Sequence, residues 1–143
     1  MLSGNLTSAG AFPTLANDNG TSILKGGTIT NTGTEALVYN ATGTINLEGI
    51  ELSSTNLVIK NGEEDITTGT ININSGTVSS EDKTAIRNYG IISHSGGTVS
   101  SNSTSELTVN NLATGSYTLS GGSITSSAGN AFNNLGTFEM TSG

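Results

Sequence analysis

Two kinds of side chain in this sequence have the chemistry for proton transfer or ligand binding: one histidine, His94, and eleven carboxylates, several of them in short runs. The runs are Glu63-Glu64-Asp65 and Glu81-Asp82, with Glu35 and Glu106 standing singly. Paired carboxylates held at a set separation act as acid and base in glycoside hydrolysis, and clustered ones bind calcium. Adjacent residues such as Glu63 and Glu64, however, tend to alternate sides of an extended chain. The calcium-binding nonapeptide repeat is absent, so solvated loop charge is the default reading. His94 has no second histidine and no cysteine with which to build a zinc site, and catalysis would need a positioned acid or base beside it. The expectation is a protein that is not an enzyme and carries no cofactor or metal.

The bulk numbers narrow the partners. With four Lys and Arg against eleven Asp and Glu, the formal net charge is −7. So few cations cannot neutralise many phosphates, which argues against nucleic acid and against anionic membrane. No apolar run approaches the roughly 20 residues of a membrane span, so no direct membrane insertion is expected. Met1-Leu2-Ser3-Gly4 lacks the charged and apolar regions of a secretory signal. Disorder usually comes with high charge or much proline, whereas here 10% of residues are charged and Pro13 is the one proline. Helix formers are scarce and β-branched residues common, so almost no α-helix is expected.

The elements that would position any site emerge from a repeat. Gly20, Gly43, Gly69, Gly90, Gly115 and Gly136 recur in a matching context. Two residues after each stand Ser22, Ile45, Ile71, Ile92, Tyr117 and Phe138; four after stand Leu24, Leu47, Ile73, His94, Leu119 and Met140. The intervening residues are polar or small, which is the alternation of a strand with one buried face. Five residues beyond Leu24, Leu47, Ile73, His94 and Leu119 come Ile29, Leu52, Val78, Val99 and Ile124, the inward points of a second strand, with Leu6 in the same context. Glycines such as Gly26-Gly27, Gly96-Gly97 and Gly121-Gly122 fill the corner between the two, where a sharp turn needs backbone freedom. A third apolar cluster follows at Ala11-Phe12, Ala36-Leu37, Leu57-Val58, Ala85-Ile86, Leu107 and Ala131-Phe132, inside an arc of variable length.

Three short strands in each turn of 21–26 residues describe an all-β chain wound as a right-handed parallel β-helix (a β-solenoid) of about six turns. At about 4.8 Å per turn the rod is roughly 29 Å long. The whole chain, 1–143, reads as one solenoid segment, with Gly4 and Gly143 at equivalent corners. It is expected to be a piece of a longer repeat protein, or a unit that stacks end to end through unpaired strand edges.

Placed on this frame, His94 replaces an aliphatic residue in an inward column and reads as a core side chain with backbone partners. Ser93 and Ser95 point outward. Tyr117 with Phe138, and Phe12 with Phe132, read as inward columns, leaving Tyr89 as the better surface aromatic. Asn40, Asn88, Asn110-Asn111 and Asn133-Asn134 precede the recurring glycines, where stacked turns would align some of them into amide ladders. Thr28/Thr30, Thr77/Ser79, Thr98/Ser100 and Ser123/Thr125 form an outward hydroxyl ladder. Such pairs raise ice binding as an alternative, but Glu51 interrupts the array and exposed strands favour β-branched hydroxyls anyway. The sequons at Asn5, Asn40 and Asn102 read as chance matches.

Runs such as Thr84-Ala-Ile-Arg-Asn-Tyr-Gly90 and Asn130-Ala-Phe-Asn-Asn-Leu-Gly136 resemble the repeats of large bacterial surface adhesins, autotransporter passengers or wall-anchored proteins with a pectin-lyase-like β-helix. The resemblance implies a stiff extracellular or cell-surface stalk that binds a host glycan or matrix protein, or a second copy of itself along its side or at its ends. A self-assembling filament and a polysaccharide-binding or -degrading β-helix stand as alternatives. The partner-binding candidates lie in the variable arc, which can protrude without disturbing the stack: residues 60–65, 79–83 and 100–106. They comprise Lys60, Glu63, Glu64, Asp65, Glu81, Asp82, Lys83 and Glu106, with Tyr89 beside them.

Overall fold

In the computed structural model, which describes residues 4–142, every regular element among those residues is a strand and all pairings between strands are parallel. In chain order they are β1 (Asn5–Ser8), β2 (Leu15–Asn17), β3 (Thr21–Lys25), β4 (Thr28–Asn31), β5 (Val38–Asn40), β6 (Thr44–Ser54), β7 (Ile59–Asn61) and β8 (Thr70–Ser80). Then follow β9 (Ile86–Asn88), β10 (Ile91–His94), β11 (Thr98–Ser101), β12 (Val109–Asn111), β13 (Ser116–Leu119), β14 (Ser123–Ser126), β15 (Phe132–Asn134) and β16 (Thr137–Met140). β6 and β8 run through the corner and join the first two strands of their turns. Counted so, each of the three strand positions occurs six times, which makes a parallel β-solenoid of about six turns.

Each strand pairs with its counterpart one turn away. The first and second strands form one sheet, and the third strands a six-stranded sheet in the order β15-β12-β9-β7-β5-β2. The recurring-glycine alignment is reproduced in register: Ser22, Ile45, Ile71, Ile92, Tyr117 and Phe138 are successive partners, and so are Leu52, Val78, Val99 and Ile124. Gly143, expected at a corner, lies outside the described residues, as do Met1, Leu2 and Ser3.

The inward columns are the core. Ile45, Leu47, Ile71, Ile73, Ile92, Leu52, Val78 and Val99 are all at most 1% exposed. Burying such a side chain is worth about 1.5–3 kcal/mol, and each also covers the one stacked on it. Leu6, Phe138 and Met140, covered from one side only, are exposed.

The third column differs from expectation in its register. Its inward members are Leu15, Val38, Ile59, Ile86, Val109 and Phe132. Phe12, expected there, is 79% exposed, and the chain reaches the column three residues later at Leu15. Leu107 likewise yields the position to Val109, which is buried. Short apolar stretches do not specify which member faces in, and here pairing with the neighbouring turn decides.

The second inward residue of every third strand is asparagine: Asn17, Asn40, Asn61, Asn88, Asn111 and Asn134. Each Nδ2 donates to the Oδ1 of the next at 2.8 Å, an unbroken amide ladder through all six turns. The same Nδ2 also donates to the carbonyl of its own turn's recurring glycine, Gly20, Gly43, Gly69, Gly90, Gly115 or Gly136, at 3.0–3.2 Å. The ladder also includes Asn17, three residues before Gly20 as Asn40 is before Gly43, and Asn61, which lies eight residues before Gly69. At Asn17, with no amide before it, the Ser22 hydroxyl donates to Oδ1 at 3.2 Å, which accounts for the polar residue at the head of an aliphatic column. Asn40 is fully buried in this ladder, so its sequon is no glycan acceptor.

Two kinds of glycine therefore occur. Corner residues such as Gly97 (φ 86°) and Gly122 (φ 78°) adopt the left-handed backbone expected of them. None of the six recurring glycines has positive φ. Five of them, Gly43, Gly69, Gly90, Gly115 and Gly136, are glycine because the stacked turns approach too closely for a β-carbon: at Gly115 it would stand 2.6 Å from the Asn88 carbonyl oxygen and 3.0 Å from the Asn88 amide nitrogen, whereas Gly20 has room for one.

Candidate functional site

The variable arc is not one loop. It contains the third strand, and length varies on both sides of it. Residues 79–83 and 100–106 run from the ends of the second strands toward the third, while Glu63, Glu64 and Asp65 lie beyond Asn61, in the connection back to the first strand. There Glu63 and Ile66 exchange backbone hydrogen bonds at 2.8 and 3.0 Å and close a tight turn. Five of the candidate residues consequently separate onto two grooves.

The larger groove, about 370 Å³, runs along the entrance to the third strands. It brings together Lys60, Lys83 and Glu106 with two residues outside the candidate set, Glu35 and Arg87. Thr34, Asn56 and Thr84 add polar lining. Tyr39, Lys60 and Arg87 are successive outward partners on β5, β7 and β9, which is why two cations sit side by side. Lys60 donates to Glu63 at 2.8 Å and lies 5.4 Å from the centre of the Tyr39 ring. The Lys60 hydrogen bond and charge, with help from the Tyr39 hydroxyl, hold the Glu63 carboxyl below the usual range. Burial, reinforced by Glu63, raises the Tyr39 hydroxyl. Lys83 pairs with Glu106 at 3.6 Å. Among the described residues Arg87 makes no ion pair, and its side chain is exposed. Arg87 was legible in principle: aligning the third strands on their asparagines puts it directly beside Lys60.

The second groove, about 320 Å³, lies at the corner after the ladder. Tyr89 and Glu64 line it with Leu112, Ala113, Thr114 and Leu135. Tyr89, Leu112 and Leu135 each follow a ladder asparagine, so they stack into a short apolar stripe. Asp65, Glu81 and Asp82 are exposed and line neither groove. Among the described residues no three His, Asp or Glu side chains converge as metal ligands would.

His94 is fully buried. Its Nδ1 lies 2.9 Å from the Tyr117 hydroxyl and its Nε2 3.4 Å from the Gly97 carbonyl oxygen. One ring nitrogen thus has the backbone partner expected, and the other is met by the tyrosine of the next turn. The neutral ring satisfies both contacts if Nε2 donates to the carbonyl and Nδ1 accepts from the hydroxyl. Tyr117 in turn packs edge-on to Phe132 at 5.2 Å, and burial raises its own hydroxyl pKa.

Burial pushes the His94 pKa below the ordinary histidine value. The unfolded chain therefore binds the proton more readily than the folded one, and stability rises with pH. The contribution is complete above about pH 6.5 and falls as pH drops from there toward the lower folded value, by up to about 1.4 kcal/mol per pH unit. Urea unfolding from pH 8 to 5 should show this loss in the parent protein. The double variant His94→Leu/Tyr117→Phe, which leaves no orphaned hydroxyl, should lack the part of the slope assigned to His94. Parallel slopes would refute the assignment.

No family model, curated protein or solved structure matches the chain. The fold and the two grooves therefore carry the functional reading.

Proposed function

We propose that this chain is a structural and adhesive segment of a bacterial cell-surface or secreted protein, a stiff stalk that meets host or sibling surfaces with one flank. The observation carrying the proposal is the continuous amide ladder beside the apolar columns. A rod locked by side-chain hydrogen bonds in every turn resists bending, and its outward residues stand in fixed rows. The resemblance to adhesin repeats supports the same reading, and so does the gathering of charged side chains on one flank. No catalytic step belongs to it.

Binding of the isolated chain to glycan and matrix-protein arrays tests the proposal. It expects retention on at least one glycan or matrix protein, reduced by substitutions in the two grooves. Absence of binding together with concentration-dependent elongation would replace it with a filament subunit. Turnover of a polysaccharide, lost on removing the Glu63 or Glu81 carboxylate, would replace it with an enzyme.

A further inference from the structure

In a chain of net charge −7, three of the four cations line a single groove. Two of them are already engaged: Lys60 with Glu63 at 2.8 Å and Lys83 with Glu106 at 3.6 Å. Arg87, the strand partner of Lys60, lines the same groove, exposed and without an ion pair among the described residues. A planar guanidinium presents a fork of donors that matches a carboxylate in two parallel hydrogen bonds. Beside it, Glu35 and Glu106 offer acceptors and Thr34 and Asn56 add polar groups.

We infer that this groove binds the carboxylate of an acidic sugar, with Arg87 as its anchor and the neighbouring polar side chains receiving the sugar hydroxyls. The inference rests on the adhesive reading and names the ligand class for one of its two grooves. Three features select this chemistry. Glu35 and Glu106 repel a densely charged polyanion but accept hydrogen bonds from sugar hydroxyls, so a singly charged group on a hydroxyl-rich scaffold fits best. A volume of about 370 Å³ falls within the usual range for small-ligand sites. An acidic peptide has no strand edge to join, because β9 is already paired on both sides, with β7 and β12.

Titration calorimetry with the full chain tests this, using a tetrasaccharide with one hexuronic-acid residue among neutral sugars, its carboxyl-reduced counterpart, a singly sulfated neutral tetrasaccharide and an acidic tetrapeptide. The uronate should bind, at least tenfold tighter than each of the other three, and its affinity should fall as salt rises. Arg87→Gln should weaken it at least tenfold with unchanged thermal stability, since the side chain is exposed, and Arg87→Lys should restore part of the loss. Preference for the sulfated sugar or the peptide, or uronate binding untouched by Arg87→Gln, would overturn the assignment. If array binding to other glycans persists in Arg87→Gln while uronate fails to bind, the adhesive reading stands and the groove assignment falls. No binding to any glycan or matrix protein would remove both.

Discussion

Replacing Asn61 with alanine should lower the melting temperature by about 10–20 °C. The Asn61 amide nitrogen donates to the Gly69 carbonyl at 3.0 Å, to Asn88 Oδ1 at 2.8 Å and to the Ile91 carbonyl at 3.2 Å. Its oxygen accepts from Asn40 at 2.8 Å. Alanine removes all four of these largely buried hydrogen bonds at once, although the Gly69 carbonyl keeps the Ile91 N–H, Asn88 Oδ1 keeps the Gly90 N–H and Asn40 Nδ2 keeps the Gly43 and Thr70 carbonyls. At about 0.5–1.5 kcal/mol net for each of the four lost hydrogen bonds, the cost is about 3–5 kcal/mol. Aspartate should be worse at neutral pH, since it sets a buried charge against three acceptors. The matched control is Asn110→Ala. That residue's Oδ1 accepts from Asn133 at 2.9 Å, but on the outward face, where solvent replaces the lost bond. If the two alanine variants melt within about 2 °C of each other, the ladder is not what holds the turns together.

Alanine at Gly115 and at Gly20 should have effects of opposite sign. Neither glycine has positive φ, so in both cases alanine restricts the unfolded chain at no backbone strain, a gain of about 0.4–1 kcal/mol. At Gly20 the new methyl meets only Asn17 Oδ1, at 3.5 Å, and the gain should survive. At Gly115 the methyl collides with the Asn111 side-chain oxygen and with Asn88 from the turn before. The neighbours are backbone or locked amides and cannot swing aside, so overpacking should cost about 3 kcal/mol. Thermal melts of the two variants check the contrast. Equal destabilisation would mean that the recurring glycine serves turn flexibility after all.

These two predictions concern features that were only half visible in the residue order. The recurring glycines revealed the solenoid because their spacing repeats, yet spacing says nothing of whether a glycine is needed for its φ or for its missing β-carbon. Gly122 needs the first and Gly115 the second. Asn40 and Asn88 stood out by their closeness to a glycine. Asn61 did not, because eight residues separate it from Gly69, and only pairing with Asn40 and Asn88 places it in the column. The grooves show the same limit. Lys60, Lys83 and Glu106 belong together, while Glu64 and Tyr89 face another corner. Read along the chain, all five lay in one arc.

What the sequence determined by itself was the parallel β-solenoid, its six turns and the inward faces of its first and second strands. Those rest on local rules: alternation along a strand, and a constant distance across a glycine corner. The tertiary structure alone decided the third column's register, the continuity of the amide ladder, the steric role of the recurring glycines and the company Arg87 keeps. Each is a contact between residues a full turn apart, 21 to 27 positions, across connections of unequal length. A slip of one residue in such a connection would turn a buried asparagine outward, and only stacking against the neighbouring turn settles which way it faces.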